Sequence, residues 1–207
     1  MRFRSLLTYL SLLPLGACTR CKDFDNASEF YSAKLPDYTE TGANKLGCHL
    51  GPQVWTVLGR QDLSGSGGSG PEWLPNALGV ELENTPRLPR SLRLTGAMTG
   101  ARSSRIFYNT RIQLTFLPTD SLGTLRRLGE ADYSLVPAGQ PYEYMQVENL
   151  LTDTKYSSRA RRPVRLVISH LNRQRRIISG RFEGWVYGGP NGRDSLEVSD
   201  GRFDVTY

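Results

Sequence analysis

The 207-residue sequence predicts an all-β protein. In several segments apolar residues recur at every second position, which is the pattern of strands that bury one face of a sheet. Stretches rich in glycine and proline separate these segments and indicate turns. No sustained helical period follows residue 18. We therefore expect a single antiparallel β domain over residues 46–207, built as a sandwich or as a flattened, lipocalin-like barrel of about eight to ten strands.

The predicted strands can be followed along the chain. Gly51-Pro52 lies between the apolar runs 46–50 and 53–58, so we expect a hairpin there. Residues 120–128 allow one helical turn instead, because leucines stand at every third position. The other predicted strands, all based on period-two alternation, cover residues 92–98, 112–116, 133–135, 142–147, 164–170 and 178–186.

The last segment contains two sets of apolar residues that are out of phase. Leu196 and Val198 have even numbers, whereas Phe203 and Val205 have odd numbers. One regular strand cannot place both sets on the same face. Either a β-bulge or a tight hairpin at Asp200-Gly201 would absorb the shift, and we favour the hairpin because it pairs Val198 with Phe203.

The stretch 64–70 consists of glycine and serine and matches G-x-G-x-x-G. That motif holds a dinucleotide only where a strand leads into a helix. Here Pro71 follows and no helical period begins, so we interpret the stretch as a flexible surface loop and expect no cofactor.

The N-terminus has the features of an export signal. Arg2 and Arg4 precede a short apolar run at 6–15, which is too short to span a bilayer. Leu15-Gly16-Ala17-Cys18 resembles a bacterial lipobox, in which the cysteine is acylated, for example with palmitate, and becomes the first mature residue. We therefore predict a signal peptide over 1–17 and a lipid-anchored tether over 18–45. The alternative is an ordinary cleaved signal with an incidental cysteine.

This N-terminus also predicts where the protein is found. We expect it in the bacterial cell envelope, held by lipid to a membrane, with the outer membrane, on its periplasmic or surface side, as the first candidate. The formal charge of +6 falls to +4 without Arg2 and Arg4. Because an exported protein does not meet nucleic acid, we expect anionic lipid headgroups, lipopolysaccharide, acidic glycans or an envelope protein as partners. A merely solvated basic surface is the alternative.

The sequence marks out no catalytic or metal-binding group. His49 and His170 are interpreted as structural, and no Gly-x-Ser-x-Gly motif occurs. Cys21 and Cys48 are not spaced with these histidines as a compact zinc site requires, and whether the two cysteines form a disulfide is left open. We therefore predict that the protein is not an enzyme and holds no metal.

Aromatic residues supply the candidate binding face. Trp185, Tyr142 and Tyr144 could stack on sugar rings, as could Trp73, although ordinary core and edge packing is the alternative. Alternation places Trp185 opposite the apolar Phe182 face, so we expect it to point outward. Two clusters of arginines flank the 164–170 strand, one before it at 159, 161 and 162 and one after it at 173, 175 and 176. We expect the two clusters at opposite ends of that strand. The second cluster would keep a hairpin tip soluble.

Both ends of the predicted domain resemble a known family. The pairs Gly47-Cys48 and Val54-Trp55 near the start are similar to the opening motif of an uncharacterised family of small Bacteroidetes-type lipoproteins, with Gly51-Pro52 in place of that family's usual Asn-Gly turn. The segments 177–182 and 199–205 resemble its close. The resemblance implies a membrane-tethered β domain with no established activity. We expect a non-catalytic binding or interaction module; the alternatives are a structural or assembly component and a glycan-processing enzyme.

Overall fold

The structure is a computed structural model that describes most of the chain from residue 32 onward. The described residues are 32–62, 73–75, 77–83, 91–99, 109–118, 122–123, 125–129, 143–189 and 192–207. The predicted signal peptide, Cys18, Cys21, the glycine-rich stretch 64–70, the 133–135 strand and Tyr142 lie outside these ranges.

The described residues form strands and no helix, which confirms the all-β prediction. Thirteen strands belong to one sheet. They are β1 (Lys45–Leu50), β2 (Gln53–Thr56), β3 (Leu58–Asp62), β4 (Trp73–Pro75), β5 (Gly79–Glu83), β6 (Ser91–Thr99), β7 (Asn109–Phe116), β8 (Leu125–Leu128), β9 (Tyr144–Asn149), β10 (Thr154–Ser157), β11 (Val164–Asn172), β12 (Ile177–Gly188) and β13 (Asp194–Thr206).

The sheet curls into a nearly closed barrel. Its strand order is β2-β1-β13-β12-β10-β9-β7-β6-β3-β4, and β5 pairs with β6. β2 and β3 follow each other in the chain with only Val57 between them, yet β2 pairs with β1 while β3 pairs with β6. Because β2 lies at one end of this order and β3 lies next to the other end, the chain connects the two edges of the nearly closed barrel. Among the described pairs the β3–β6 pairing is parallel and the others are antiparallel.

The sheet divides at β12. The first half of β12 pairs with β11, whereas its last residues pair with β10, as at Tyr187 and Ser157. β8 adds to the far side of β11, so β11 and β8 form a branch beside the barrel wall. Gly184 has a φ of 147°, and a Cβ at this position would lie 2.9 Å from the Cα of Val164. Only glycine lets the start of β11 pass this close to β12.

The barrel interior is one apolar core. Trp55 is fully buried, and its Nε1 donates to the carbonyl oxygen of Thr110 at 3.3 Å. The rings of Phe116 and Phe203 pack with their centroids 5.4 Å apart. Cys48 is buried and free, so it serves as a small apolar residue of this core.

The predicted hairpin at Asp200-Gly201 is wrong, and the alternative bulge is present. β13 is one continuous strand between β1 and β12. Between the pairs Gly184↔Val198 and Phe182↔Gly201, two residues of β13 oppose one residue of β12, and the pairing with β1 shifts at the same place. Asp200 has a φ of 50°, so it is the extra residue of a β-bulge. The bulge resets the phase of the strand, which is why Val198 and Phe203 are both buried.

The predicted helical turn at 120–128 is also wrong where the chain is described. Residues 125–128 form β8, whose backbone pairs with β11 from Leu128↔Val164 to Leu125↔Val167. Leu128 is buried and Leu125 is exposed, which suits a strand with one covered face. The pairing partner β11 lies far along the chain, so local leucine spacing does not reveal it.

The segment before β1 is bound to the barrel through Asp204. This carboxylate is 2% exposed and accepts hydrogen bonds from Thr39 Oγ1 at 2.6 Å, Gly42 N at 2.8 Å, Ala43 N at 3.0 Å and Ser179 Oγ at 2.7 Å. Burial opposes ionisation, but these hydrogen bonds outweigh it and lower the pKa of Asp204 to about 2. The predicted tether, residues 18–45, thus includes a stretch that is part of the folded structure.

Candidate functional site

A groove on the outer surface is the strongest candidate for a binding site. It has a volume of about 530 Å³ and lies where the β11–β8 branch leaves the barrel wall. We call it the Trp185 groove; it is lined by Arg127, Arg161, Arg162, Pro163, Arg165, Glu183, Gly184, Trp185, Glu197, Val198 and Ser199. Its volume falls within the range of about 300–1,000 Å³ that is usual for ligand sites.

Strand pairing explains how these side chains come together. Arg165 on β11 is paired with Glu183 on β12 and with Arg127 on β8. Trp185 on β12 is paired with Glu197 on β13. Opposite residues of antiparallel strands point to the same face, so these two neighbouring rows share the outward face of β8, β11, β12 and β13.

Trp185 is 43% exposed, as the alternation of β12 predicts for a residue that faces away from the buried Phe182. A ligand that covers this indole would remove apolar surface from water, which favours binding. Its position at the wall of a groove gives it a concave surface to share with a ligand.

The groove is electrostatically positive. Four arginines and two glutamates line it, for a balance of +2. Within the described part of the chain, no carboxylate lies within 4.0 Å of the guanidinium groups of Arg127, Arg161, Arg162 or Arg165. Arginine remains protonated at any physiological pH and offers five N–H donors, so these groups are available to an anionic ligand.

A second groove adjoins the first. We call it the Tyr38 groove; its volume is about 450 Å³, and it is lined by Tyr38, Leu125, Arg165, Val167, Arg181, Phe182, Glu183, Asp200, Gly201 and Arg202. Arg165 and Glu183 belong to both grooves. The two depressions therefore meet along the middle of β12.

The segment before β1 forms one wall of the Tyr38 groove. The guanidinium carbon of Arg181 lies 4.5 Å from the centre of the Tyr38 ring, and Nη1 of Arg202 donates to the carbonyl oxygen of Pro36 at 3.4 Å. The hydroxyl of Tyr38 donates to Glu40 at 2.6 Å. Burial and the hydrogen bond to Glu40 raise the pKa of Tyr38, so the phenol stays neutral.

The structure separates the aromatic residues that the sequence grouped together. Tyr144 is only 7% exposed, and its hydroxyl accepts a hydrogen bond from Gln113 Nε2, so it does not line the Trp185 groove. Tyr142 and the side chain of Trp73 lie outside the described residues. Among the described members of the predicted face, Trp185 alone lies in a groove.

Two arginines of the groove were missed by the sequence analysis. Arg161 and Arg162 belong to the cluster recognised before β11, but Arg127 and Arg165 were not noticed. Arg165 could have been found, because it lies between the buried Val164 and Leu166 and must therefore face outward. Arg127 depends on the β8–β11 pairing and has no comparable local signal.

The second arginine cluster lies at the tip of a hairpin, as predicted. Residues 173–176 form the turn between β11 and β12, and all four are exposed. Arg161 and Arg162 lie just before β11 begins, at the other end of the strand. The two clusters are thus at opposite ends of β11 and do not form one site.

The remaining candidate groups have structural surroundings. His49 Nδ1 lies 3.2 Å from the Asp200 carboxylate, and His170 Nδ1 lies 3.8 Å from Glu40. Burial raises the pKa of the Cys48 thiol far above its usual range. Across the described ranges, no group of three or more His, Cys, Asp or Glu side chains is arranged to hold a metal ion.

Comparison with known proteins identifies no relative of this chain. The chain matches no family model, no curated protein and no solved structure. None of the described residues forms a helix that is long and apolar enough to cross a bilayer.

Proposed function

We propose that this protein is a non-catalytic binding module of the bacterial cell envelope, anchored to a membrane by a lipid on Cys18. Its recognition surface is the Trp185 groove. The observation that carries this proposal is a half-exposed tryptophan beside four arginines whose guanidinium groups have no carboxylate within 4.0 Å among the described residues. A side chain set of this kind is suited to an anionic ligand with an apolar face.

The geometry favours binding over a purely structural role. A surface that only keeps the protein soluble intersperses charges of both signs and avoids large exposed aromatic side chains. The Trp185 groove instead has an exposed indole and an excess of positive charge, with four arginines against two glutamates. Like charges at close range repel one another, and an anionic ligand would relieve that repulsion.

The lipid anchor can be tested by metabolic labelling. Cells that express the full chain are fed an alkyne fatty acid, and incorporation is compared between wild type, Cys18→Ala and Cys21→Ala. Cys21 is the matched control because it is a cysteine of the same segment, three residues away. We expect Cys18→Ala to abolish labelling and Cys21→Ala to retain it. Equal labelling of wild type and Cys18→Ala would contradict the anchor.

The recognition surface can be tested with the full chain purified in a non-ionic detergent. Binding to immobilised glycans and to detergent extracts of bacterial envelopes is measured for wild type, Trp185→Ala and Leu151→Ala. Leu151 is also a large exposed apolar residue, but it lies in the turn between β9 and β10 and not in the groove. We expect binding that Trp185→Ala reduces and Leu151→Ala leaves unchanged.

The outcomes separate the competing functions. Binding that both variants retain rejects the Trp185 groove as the recognition surface. The absence of any ligand, together with one specific protein that copurifies with both variants, supports an assembly component instead. Turnover of a glycan that depends on Glu183 or Glu197 would establish a glycan-processing enzyme, because these two carboxylates line the same groove.

A further inference from the structure

We infer that the Trp185 groove and the Tyr38 groove form one trough that binds an acidic glycan along β12. This inference rests on the proposed function and adds to it the class of ligand. The acid groups of the glycan would lie against the arginines, and one of its sugar rings would lie against Trp185.

The shape of the trough calls for an extended ligand. The two grooves share Arg165 and Glu183, so they adjoin each other. Trp185 lines one end and Arg181 the other, and they are four positions apart on β12. At about 3.3 Å per residue this separation is about 13 Å. A linear oligosaccharide follows such a path, whereas a single sugar would occupy only part of it.

The charges of the trough select an anion. Six arginines line it, against the carboxylates of Glu183, Glu197 and Asp200. Asp200 already lies 3.2 Å from His49 Nδ1. The planar guanidinium group binds carboxylate, sulfate and phosphate groups through two parallel N–H donors, which gives both strength and orientation.

The two glutamates favour a glycan over other polyanions. Glu183 and Glu197 point into the trough among the arginines, where a ligand that carries only negative charge would meet repulsion. A carboxylate accepts hydrogen bonds from hydroxyl groups. Sugar rings carry both hydroxyl groups and, in acidic glycans, an acid group, so they match the alternation of arginine and glutamate. The backbone of single-stranded DNA has no free hydroxyl group to offer.

Trp185 supplies the apolar contact. Its indole is large, rigid and 43% exposed, and the less polar C–H face of a sugar ring can cover it at little cost in conformational entropy. Removing it would therefore lower affinity without altering the charge of the trough.

The test measures binding of four probes to the full chain in a non-ionic detergent by calorimetry. Polygalacturonate carries carboxylates, dextran sulfate carries sulfates, dextran is neutral, and a single-stranded DNA oligonucleotide is a polyanion without sugar hydroxyl groups along its backbone. We expect one or both of the acidic glycans to bind, with an affinity that falls as salt is added. Neutral dextran and the oligonucleotide should bind at least about tenfold more weakly, and which acidic glycan binds better identifies the acid group.

Matched variants show where the probe binds. Arg161→Gln and Arg175→Gln each remove one exposed positive charge from a turn, but only Arg161 lines the trough. We expect Arg161→Gln to weaken acidic glycan binding about two- to fivefold and Arg175→Gln to leave it unchanged. Trp185→Ala should weaken it at least about tenfold. Circular dichroism of each variant verifies that the sheet is intact.

Several results would overturn the inference. Equal losses for Arg161→Gln and Arg175→Gln would mean diffuse attraction to a basic protein. Stronger binding of the oligonucleotide would make the ligand a nucleic acid. If no acidic glycan binds while an envelope component still binds in a Trp185-dependent way, the ligand class is wrong and the proposed function survives. If nothing binds in a Trp185-dependent way, both fail.

Discussion

Replacing Asp204 with asparagine should release the segment before β1 from the barrel. Asp204 is nearly fully buried, and its two carboxylate oxygens accept from Thr39, Gly42, Ala43 and Ser179. An asparagine keeps the shape but offers only one acceptor oxygen, and it has no charge. Backbone N–H groups that now point at the second oxygen would then face an NH₂ group, which is itself a donor.

The size of this effect follows from the pKa of Asp204. The shift from 3.8 in the unfolded chain to about 2 in the folded protein is worth about 2.5 kcal/mol at neutral pH. Because the folded pKa is the lower one, the contribution is complete above about pH 5 and is lost as the pH falls through 4 to 2. Asp204→Asn should therefore lower the free energy of unfolding by about 2.5 kcal/mol at pH 7. Near pH 2 most of this charge-dependent loss should disappear, because the wild-type carboxyl group is then largely protonated as well.

Urea unfolding followed by tryptophan fluorescence at pH 7, 4 and 2.5 measures this dependence. Asp200→Asn is the matched control, because it makes the same change on the same strand at an exposed position. Asparagine tolerates the positive φ of Asp200, and only one exposed contact with His49 is changed, so the cost should stay below about 1 kcal/mol. The reasoning is refuted if Asp204→Asn costs no more than Asp200→Asn at pH 7, or if its cost is the same at every pH.

Three further predictions concern the ion pair between Glu143 and Arg126, the β-bulge at Asp200 and the buried thiol of Cys48. Glu143→Gln should lower the free energy of unfolding by about 2 kcal/mol or more, because Glu143 is 9% exposed and binds both Arg126 Nη2 at 2.8 Å and the Leu117 N–H at 2.9 Å; an unchanged thermal midpoint would contradict this. Asp200→Val should lower the free energy of unfolding by about 1–2 kcal/mol, because a β-branched residue disfavours a φ of 50°. Asp200→Gly should be nearly neutral in the same thermal unfolding experiment, and equal losses for the two variants would argue against the bulge. Cys48 should be alkylated by iodoacetamide only after unfolding in urea, because burial raises the pKa of its thiol and blocks access of the reagent. Peptide mass spectrometry measures the labelling, and rapid labelling of Cys48 in the native protein at pH 8 would disprove the prediction.

Side-chain alternation along a strand predicts which way Trp185 points, but it does not predict that Tyr144 is buried. Period-two alternation correctly turned Trp185 away from Phe182, because side-chain direction along a strand is a local property of the backbone. The same reasoning could not tell that Tyr144 is covered. Its hydroxyl accepts a hydrogen bond from Gln113 on the neighbouring strand β7, and no property of residues 142–147 specifies that neighbour.

The sequence by itself determined that this is a β protein, that a turn at Gly51-Pro52 opens its first hairpin, and that the last apolar residues change phase near Asp200. These are consequences of local spacing and turn chemistry. Only the tertiary structure decided between hairpin and bulge, because both absorb the phase change and the choice depends on β13 having β1 on one side and β12 on the other. The set of residues that line the Trp185 groove also depends on the tertiary structure. Arg127, Arg165 and Trp185 come from three strands, and it is the long-range backbone pairing of β8, β11 and β12 that places them on one surface.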